Sequence, residues 1–341
     1  MALSICDLTL DELTAHLKAD GEPGYRAGQI FDWIYKKRSF AWEAMSSLPG
    51  ALRAKLSLQF PFPDVRQIEM HQSQDGTRKF LFELFDGQRV ESVFIPAGKR
   101  ATLCISSQAG CKFGCGFCAS GLGGWKRDLT PGEILGQVLL AKKACADAGE
   151  VTHIVFMGVG EPFDNYAHVL KAVRLLNAPE ALHIAARRIT ISTCGVVPGI
   201  KRLAGEGLQV ELSVSLHASN DALRSSLMPV NRKYPLAELM KTCRAYARDT
   251  GRQVTFEYIL IKDLTCTEKC ADELCKLLQG WLCKINFIAC NAVGEFAHKP
   301  PSREEIARFQ ASLQKRGVIT TLRMPRGKDI AAACGQLRNA V

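Results

Sequence analysis

The spacing of apolar positions divides the chain into three parts. Over residues 1–62 it follows a helical period, and the segment GYRAGQIFDWIYKKR places Ile30, Ile34 and Tyr35 on one helix face. Over residues 63–97 the period changes to two, and the dipeptides Asp75-Gly76 and Asp86-Gly87 are typical of hairpin turns. These patterns predict a small helical N-terminal domain over 1–62 and a β-hairpin extension over 63–97.

Residues 98–341 alternate between strand and helix patterns. Six apolar runs have the character of buried strands: TLCIS, THIVFMG, RITIST, VELSVSL, VTFEYILI and KINFIA. Five of them follow a helical stretch of about ten residues or more, which is the spacing of βαβ units. We therefore predict an α/β fold, an incomplete parallel (βα)6 barrel with its site at the carboxyl ends of the strands. A seventh run, VITTLRM, precedes a tail that does not resemble a closing helix.

One helix start is marked in the sequence. Thr130-Pro131-Gly132-Glu133 is a capping box with proline at the first helical position, so we expect a helix to begin there.

Charge and cysteine content narrow the functional classes. The net charge of +10 favours an anionic partner such as RNA. The sequence contains no run of eighteen apolar residues and its start lacks a basic region, so we expect neither a membrane span nor a signal peptide. We therefore expect a cytoplasmic location, where fourteen cysteines favour metal-binding or catalytic thiols over a disulfide framework.

Cys111, Cys115 and Cys118 form the main chemical motif. Three thiols within eight residues follow the first predicted strand of the barrel on a glycine-rich loop. A structural zinc site needs four ligands, and no fourth Cys or His lies nearby. Three cysteines on a [4Fe–4S] cluster leave one iron open, where the amino and carboxylate groups of S-adenosylmethionine (SAM) can bind. With Phe117, the pattern resembles that of the radical SAM superfamily. The alternative, three thiols packed in a turn, has little core to join in so glycine-rich a loop.

A second group of residues is suited to binding SAM. Gly160 and Glu161 follow the strand THIVFMG and resemble the GGEP-like motif of radical SAM proteins, although a simple turn would also explain them. Other candidates lie at the carboxyl ends of later strands: Ser192, Ser215, Leu216, His217 and Asn291. Each polar residue among them could instead complete a turn.

A third set of cysteines has a weaker pattern. Cys266, Cys270 and Cys275 fall in or beside a predicted helix, TEKCADELCKLLQGW. We expect these thiols to pack as small hydrophobic groups rather than to bind a metal.

Several further segments carry a family resemblance. Cys104 lies in ATLCISSQAGC and Cys334 in DIAAACGQL; the other segments are YRAGQIFDWIY, RVESVFIP, GVGEP, ISTCGVVP and SLHASND. From about Tyr25 to Leu337 the chain closely resembles the RlmN/Cfr family of radical SAM rRNA methyltransferases. The combination of CxxxCxxC with an upstream TLC and a downstream ACGQL is specific to that family.

The resemblance implies a reaction cycle. One SAM methylates Cys334, and a second SAM, cleaved at the [4Fe–4S] cluster, activates that methyl group. The activated group adds to an adenine carbon and links protein to RNA; Glu91 then removes the ring proton. Cys104 releases the product by forming a transient disulfide with Cys334. Without the resemblance, Cys334 would be read as a packed cysteine and Glu91 as a solvent-facing carboxylate.

The resemblance also implies the substrates. The expected product is an adenine methylated at C2, in the peptidyl-transferase loop of 23S rRNA and next to the tRNA anticodon on its 3′ side. Two alternatives remain: methylation of the same rRNA adenine at C8, and a non-catalytic RNA-binding protein with a structural Fe–S or zinc site. We expect a monomer that receives electrons from a donor such as flavodoxin.

Basic residues could hold RNA phosphates, although such charges are more often solvated. The candidates are Arg26, Lys36, Lys37 and Arg38 in the N-terminal domain, Lys126 and Arg127 beside Trp125, and Arg232 and Lys233 after Asn231.

Overall fold

A ten-stranded mixed sheet organises the computed structural model, which describes residues 3–338. Its first four strands pair antiparallel: β1 (Val65–Gln72), β2 (Arg78–Leu84), β3 (Arg89–Ala97) and β4 (Arg100–Cys104). Two short strands, β5 (Gln108–Ala109) and β6 (Arg127–Asp128), form a separate ladder. The predicted hairpin segment is thus three antiparallel strands that continue the main sheet.

The parallel part of the sheet begins at β4. It continues through β7 (His153–Phe156), β8 (Ile189–Thr193), β9 (Glu211–Ser215), β10 (Val254–Leu260), β11 (Lys284–Ala289) and β12 (Ile319–Arg323). The seventh predicted run is therefore a true strand, paired with β11. Among the described residues β12 and β1 do not pair, so the barrel is open. The α/β class and the incomplete parallel barrel are confirmed.

Helices connect the parallel strands. They are α4 (Pro131–Ala144), α5 (Tyr166–Asn177), α6 (Val197–Ala204), α7 (Asp221–Leu227), α8 (Leu236–Thr250), α9 (Glu268–Leu278) and α10 (Arg303–Gln314). The predicted capping box at the start of α4 is present: Thr130 Oγ1 accepts from the Glu133 N–H, and the Glu133 carboxylate accepts from the Thr130 N–H. No helix in residues 3–338 has the length and apolarity needed to cross a bilayer.

The N-terminal region is helical, as the apolar spacing predicts. It contains α1 (Leu10–Ala19), α2 (Tyr25–Phe31), which continues as a π-helical turn over Asp32–Lys36, and α3 (Gly50–Gln59). Its apolar side chains share one continuous core with the barrel helices. Asp7 also accepts a hydrogen bond of 2.7 Å from the N–H of Gly132, in the first turn of α4. The domain boundaries themselves stay predictions.

The third cysteine set packs into the hydrophobic core, as expected. Cys270 and Cys275 lie in α9, whereas Cys266 precedes the helix. Cys270 is buried and belongs to the hydrophobic core, against which the other two pack.

Candidate active site

A cavity of about 160 Å³ opens at the carboxyl ends of the parallel strands. It brings together nine residues that the sequence singled out: Cys111, Cys115, Cys118, Gly160, Glu161, Ser192, Ser215, His217 and Cys334. These residues come from segments spread over more than 220 positions of the chain, and the barrel topology makes them neighbours.

The loop with the three neighbouring cysteines is fixed by backbone contacts. The N–H of Gly116 donates to the Leu227 carbonyl over 2.8 Å, and the N–H of Cys118 donates to the Cys115 carbonyl over 3.1 Å. All three cysteines are free thiols. Burial raises the pKa of Cys111 to about 12 and also raises the pKa of the other two thiols. A bound metal favours the thiolate form of such thiols.

The donor set suits an iron–sulfur cluster better than a single metal ion. Within residues 3–338 no three His, Cys, Asp or Glu side chains converge so as to hold one ion. Zinc would require that convergence, because its bonds to sulfur are only about 2.3 Å long. In a [4Fe–4S] cluster each cysteine binds a different iron, so thiols spread around a cavity wall can serve. The three cysteines of the loop therefore fit such a cluster.

Glu161 is a buried carboxylate held by backbone amides. One oxygen accepts from the N–H of Phe163 (3.0 Å) and the other from the N–H of Cys194 (2.7 Å). Burial raises its pKa, and these amide contacts act in the opposite direction. Gln108, which the sequence did not single out, accepts from the Glu161 N–H over 2.8 Å. Glu161 lines the cavity, where a carboxylate is a suitable acceptor for an ammonium ligand.

His217 is neutral in this site. Its Nδ1 accepts from the N–H of Ile259 (3.0 Å), so Nε2 carries the ring proton. Burial, with a smaller contribution from Arg224, lowers its pKa to about 3. The ring packs edge-on against Phe117 at 4.8 Å between centroids. It can therefore donate one hydrogen bond without introducing charge.

Two predicted SAM residues lie outside this cavity. Leu216 is fully buried behind the wall. Its carbonyl accepts from Arg224, a fully buried residue whose guanidinium also reaches the carbonyls of Cys194 and Ser215. Asn291 lines a smaller neighbouring cavity, and its amide donates to the Cys334 carbonyl over 3.0 Å.

The segment that carries Cys334 is held against the mouth of the barrel. The N–H of Ala119 donates to the Gly335 carbonyl (2.8 Å), and the hydroxyl of Ser120 donates to the Leu337 carbonyl (2.7 Å). Cys334 lines both the main cavity and the smaller one. Cys334 therefore lies between the main cavity, which the three loop cysteines line, and the smaller cavity beside Asn291.

Cys104, at the end of β4, lies beside this segment. It is buried with Ala332 and Leu337 in a small apolar cluster. Burial raises its pKa to about 12, and the nearby Cys334 adds to the increase. The two thiols are thus within each other's electrostatic reach, although both are free.

Glu91 points inward from β3 and is only 3% exposed, so it does not face solvent. It pairs with Lys79 at 3.0 Å and accepts from the N–H of Arg338 at 2.8 Å. No sequence pattern indicated Lys79, because its contact with Glu91 depends on the pairing of two strands.

Several of the predicted RNA contacts have protein partners. Lys36 pairs with Asp32 at 2.6 Å, and Arg38 pairs with Glu150 at 3.1 Å. Arg127 is enclosed by two carboxylates, which gives it a structural role. Contacts between the basic residues and RNA stay predictions.

Family comparisons agree with this geometry. Residues 105–272 match the radical SAM superfamily, and residues 3–60 match the ribosomal RNA large subunit methyltransferase N-terminal domain.

Full-length relatives support the same assignment. The chain is 46% identical over 336 residues to proteins described as probable dual-specificity RNA methyltransferase RlmN from Bacillus thuringiensis (strain Al Hakam) and Bacillus cereus (strain AH187). Each alignment covers 98% of this chain and 93% of the relative. The crystal structure of a radical SAM methyltransferase from Sphaerobacter thermophilus superposes with a TM-score of 0.96 at 47% identity, covering 99% of this chain and all of that one. The chain therefore belongs to the RlmN family of radical SAM RNA methyltransferases.

Proposed function

We propose that this protein methylates C2 of an adenine in the peptidyl-transferase loop of 23S rRNA and of the adenine 3′ of the anticodon in tRNA. The observation that carries the proposal is the position of Cys334: its thiol lines the cavity of the three neighbouring cysteines and lies within electrostatic reach of Cys104. A purely structural Fe–S or zinc site does not require the pair Cys104 and Cys334 beside it. This arrangement favours the enzymatic function over a non-catalytic RNA-binding protein.

The cavity has suitable groups for SAM. Glu161 and the backbone around Gly160 would hold the ammonium group, and Ser192, Ser215 and His217 would hold the polar groups of the methionine and ribose parts. Leu216 and Asn291 would support the site without lining the main cavity. Leu216 would shape the cavity wall, and Asn291 would hold the Cys334 carbonyl. When bound on Cys111, Cys115 and Cys118, a [4Fe–4S] cluster with SAM would supply the radical that activates a methyl group.

The chain's own residues would then carry the methyl group. The Cys334 thiolate accepts it from one SAM as a nucleophile. Once activated by a second SAM, this group bonds to the adenine carbon and links Cys334 to RNA. Glu91 takes the ring proton, and the unpaired electron left by the radical addition would return to the cluster. The Cys104 thiolate then attacks the Cys334 sulfur, so that a disulfide forms and the S–C bond breaks with its electron pair on the methylene carbon. A proton added there completes the methyl group of the base that leaves.

The choice of C2 rests on the family. The matched relatives carry the dual-specificity RlmN name, which favours C2 over the C8 alternative of the Cfr-type enzymes. An electron-poor adenine carbon has no lone pair to attack SAM, so a radical route is needed at either position. The target base must also leave its stack to reach the cavity, as in other base-modifying enzymes.

The test is nucleoside mass spectrometry. The cluster-loaded protein is incubated with SAM, a reductant and an in vitro transcript of the peptidyl-transferase loop, and in a parallel reaction with tRNA. 2-Methyladenosine in both RNAs is the expected product. 8-Methyladenosine would overturn the C2 assignment, and the absence of a methylthio group on Cys334 would overturn the whole cycle.

A further inference from the structure

Both oxygens of the Glu91 carboxylate are already engaged. Oε1 lies 3.0 Å from the ammonium nitrogen of Lys79, and Oε2 accepts from the N–H of Arg338 over 2.8 Å. Glu91 is 3% exposed and the Lys79 side chain 15%. A buried carboxylate with two direct partners has a defined orientation. The ammonium on Oε1 repels an incoming proton there, whereas Oε2 faces only a neutral N–H.

The partner on Oε1 belongs to the rigid part of the sheet. In the antiparallel pairing of β2 with β3, Glu91 lies opposite Leu81. Lys79 is two residues from Leu81 on the same strand face, so it is the diagonal neighbour of Glu91. β2 is flanked by β1 and β3, which fixes its backbone on both sides.

The partner on Oε2, the N–H of Arg338, belongs to the C-terminal segment that carries Cys334. Arg338 follows Cys334 by four residues, in a stretch without helix or strand. The Lys79 ammonium also approaches the carbonyl of Ala331, three residues before Cys334, at 3.5 Å. Lys79 and Glu91 together thus contact both sides of the segment that carries the methyl-accepting cysteine.

We infer that Lys79 is a positioning residue: it holds Oε1 of Glu91, so that Oε2 becomes the proton acceptor when the Arg338 N–H moves away. The inference rests on the proposed function, in which Glu91 removes the adenine ring proton. In that step the C–H bond breaks, its electron pair stays with the ring carbon, and the proton forms an O–H bond at Oε2. Departure of Arg338 would couple proton removal to movement of the Cys334 segment.

Cys334 keeps three anchors that do not involve Lys79. Its segment is fixed by the Asn291 amide on the Cys334 carbonyl and by Ala119 and Ser120 on the following carbonyls. Replacement of Lys79 should therefore leave the first methyl transfer intact and affect only the step that uses Glu91. Because the two steps are separate, the effect of Lys79 on proton removal by Glu91 can be measured apart from methyl transfer to Cys334.

The experiment compares Lys79→Met, Lys79→Arg and a matched control, Lys171→Met. Lys171, in α5, also pairs with a glutamate, Glu12 of α1, at 2.7 Å, but this pair is partly exposed and joins the barrel to the N-terminal region. Each cluster-loaded protein is pre-methylated with SAM, and the S-methyl content of Cys334 is read by peptide mass spectrometry. A single turnover then begins with reductant, more SAM and the 23S rRNA loop transcript. The covalent protein–RNA complex is followed over time on denaturing gels.

The expected result is normal S-methylation in all variants. The Lys79→Met complex should decay roughly 10- to 100-fold more slowly than wild type, because a base that loses its alignment loses about that much rate. Lys79→Arg should recover most of the rate and Lys171→Met should equal wild type. Decay of the Lys79→Met complex at the wild-type rate would overturn the inference, as would a parallel loss of S-methylation. A wild-type protein with no S-methyl group would instead overturn the proposed function.

Discussion

Gly160 offers a direct test of how the SAM cavity is built. Its φ is +106°, in a region that residues with a Cβ rarely adopt. A Cβ there would lie 2.6 Å from the Cβ of Gln108, 2.8 Å from its backbone nitrogen and 2.8 Å from the hydroxyl of Ser107. Gln108 cannot withdraw freely, because its side chain is hydrogen bonded to Asp128, Asp164 and the Glu161 N–H.

The cost of Gly160→Ala follows from these two causes. Backbone strain contributes about 1–3 kcal/mol. Overpacking against Gln108 adds about 1–3 kcal/mol. We therefore expect the free energy of unfolding to fall by roughly 2–6 kcal/mol. Gly207→Ala is the matched control, because Gly207 has a φ of +66° but no atom within 4 Å of its added Cβ. That variant should lose only about 1–2 kcal/mol.

The measurement is urea unfolding of the cluster-free proteins, followed by circular dichroism. Binding of S-adenosylhomocysteine by calorimetry adds a functional readout, because relief of the clash displaces the adjoining Glu161. We expect weaker binding for Gly160→Ala and unchanged binding for Gly207→Ala. The reasoning would be refuted if both variants lost the same stability and bound the ligand equally well. The close approach of Gly160 to Gln108 would then add nothing to the cost of the substitution.

Three further predictions concern buried polar groups. At pH 8, Cys104 should react with iodoacetamide about a thousandfold more slowly than an ordinary thiol of pKa about 8.5, because burial raises its pKa to about 12 and leaves little thiolate; labelling of Cys104 as fast as the partly exposed Cys275 would contradict this. Arg224→Met should lower the free energy of unfolding by roughly 3–5 kcal/mol in urea titrations, since it leaves buried carbonyls without donors; a loss below about 1 kcal/mol would argue against it. His217 has a folded pKa of about 3, below its unfolded value, so its stabilising contribution is present above about pH 6.5 and is lost as the pH falls toward 3. His217→Gln should therefore flatten the pH dependence of stability between pH 4 and 6.5 by up to about 1.4 kcal/mol per pH unit, and an unchanged slope would exclude a neutral buried His217.

Much of the fold could be predicted because its signals are local. The helix start at Thr130, the strand runs and the cysteine loop each depend on a few neighbouring residues. Polar residues at strand ends could also be assigned to one side of the barrel, since parallel strands end together. Most of them indeed line one cavity.

The supporting contacts were not predictable, because they join distant positions. Gln108 reaches Asp164, 56 residues away, and Glu91 accepts from Arg338, 247 residues away. Nothing near these residues in the sequence indicates which partners they contact. The position of Asn291 illustrates a second limit: the strand end was predicted, but not which of two adjoining cavities its side chain would line.

The docking of the N-terminal region on the barrel has a consequence for RNA selection. The two parts share a core, Asp7 binds the first turn of α4, and Glu12 and Arg38 pair with residues of the barrel helices and the loop after them. They therefore pack as one unit, which limits their relative movement. An RNA that contacts both parts must present its target base to the barrel cavity at a set distance and angle from its contacts with the N-terminal region. Discrimination would then depend on the folded shape of the RNA, and a short unfolded strand with the same sequence would be a poor substrate.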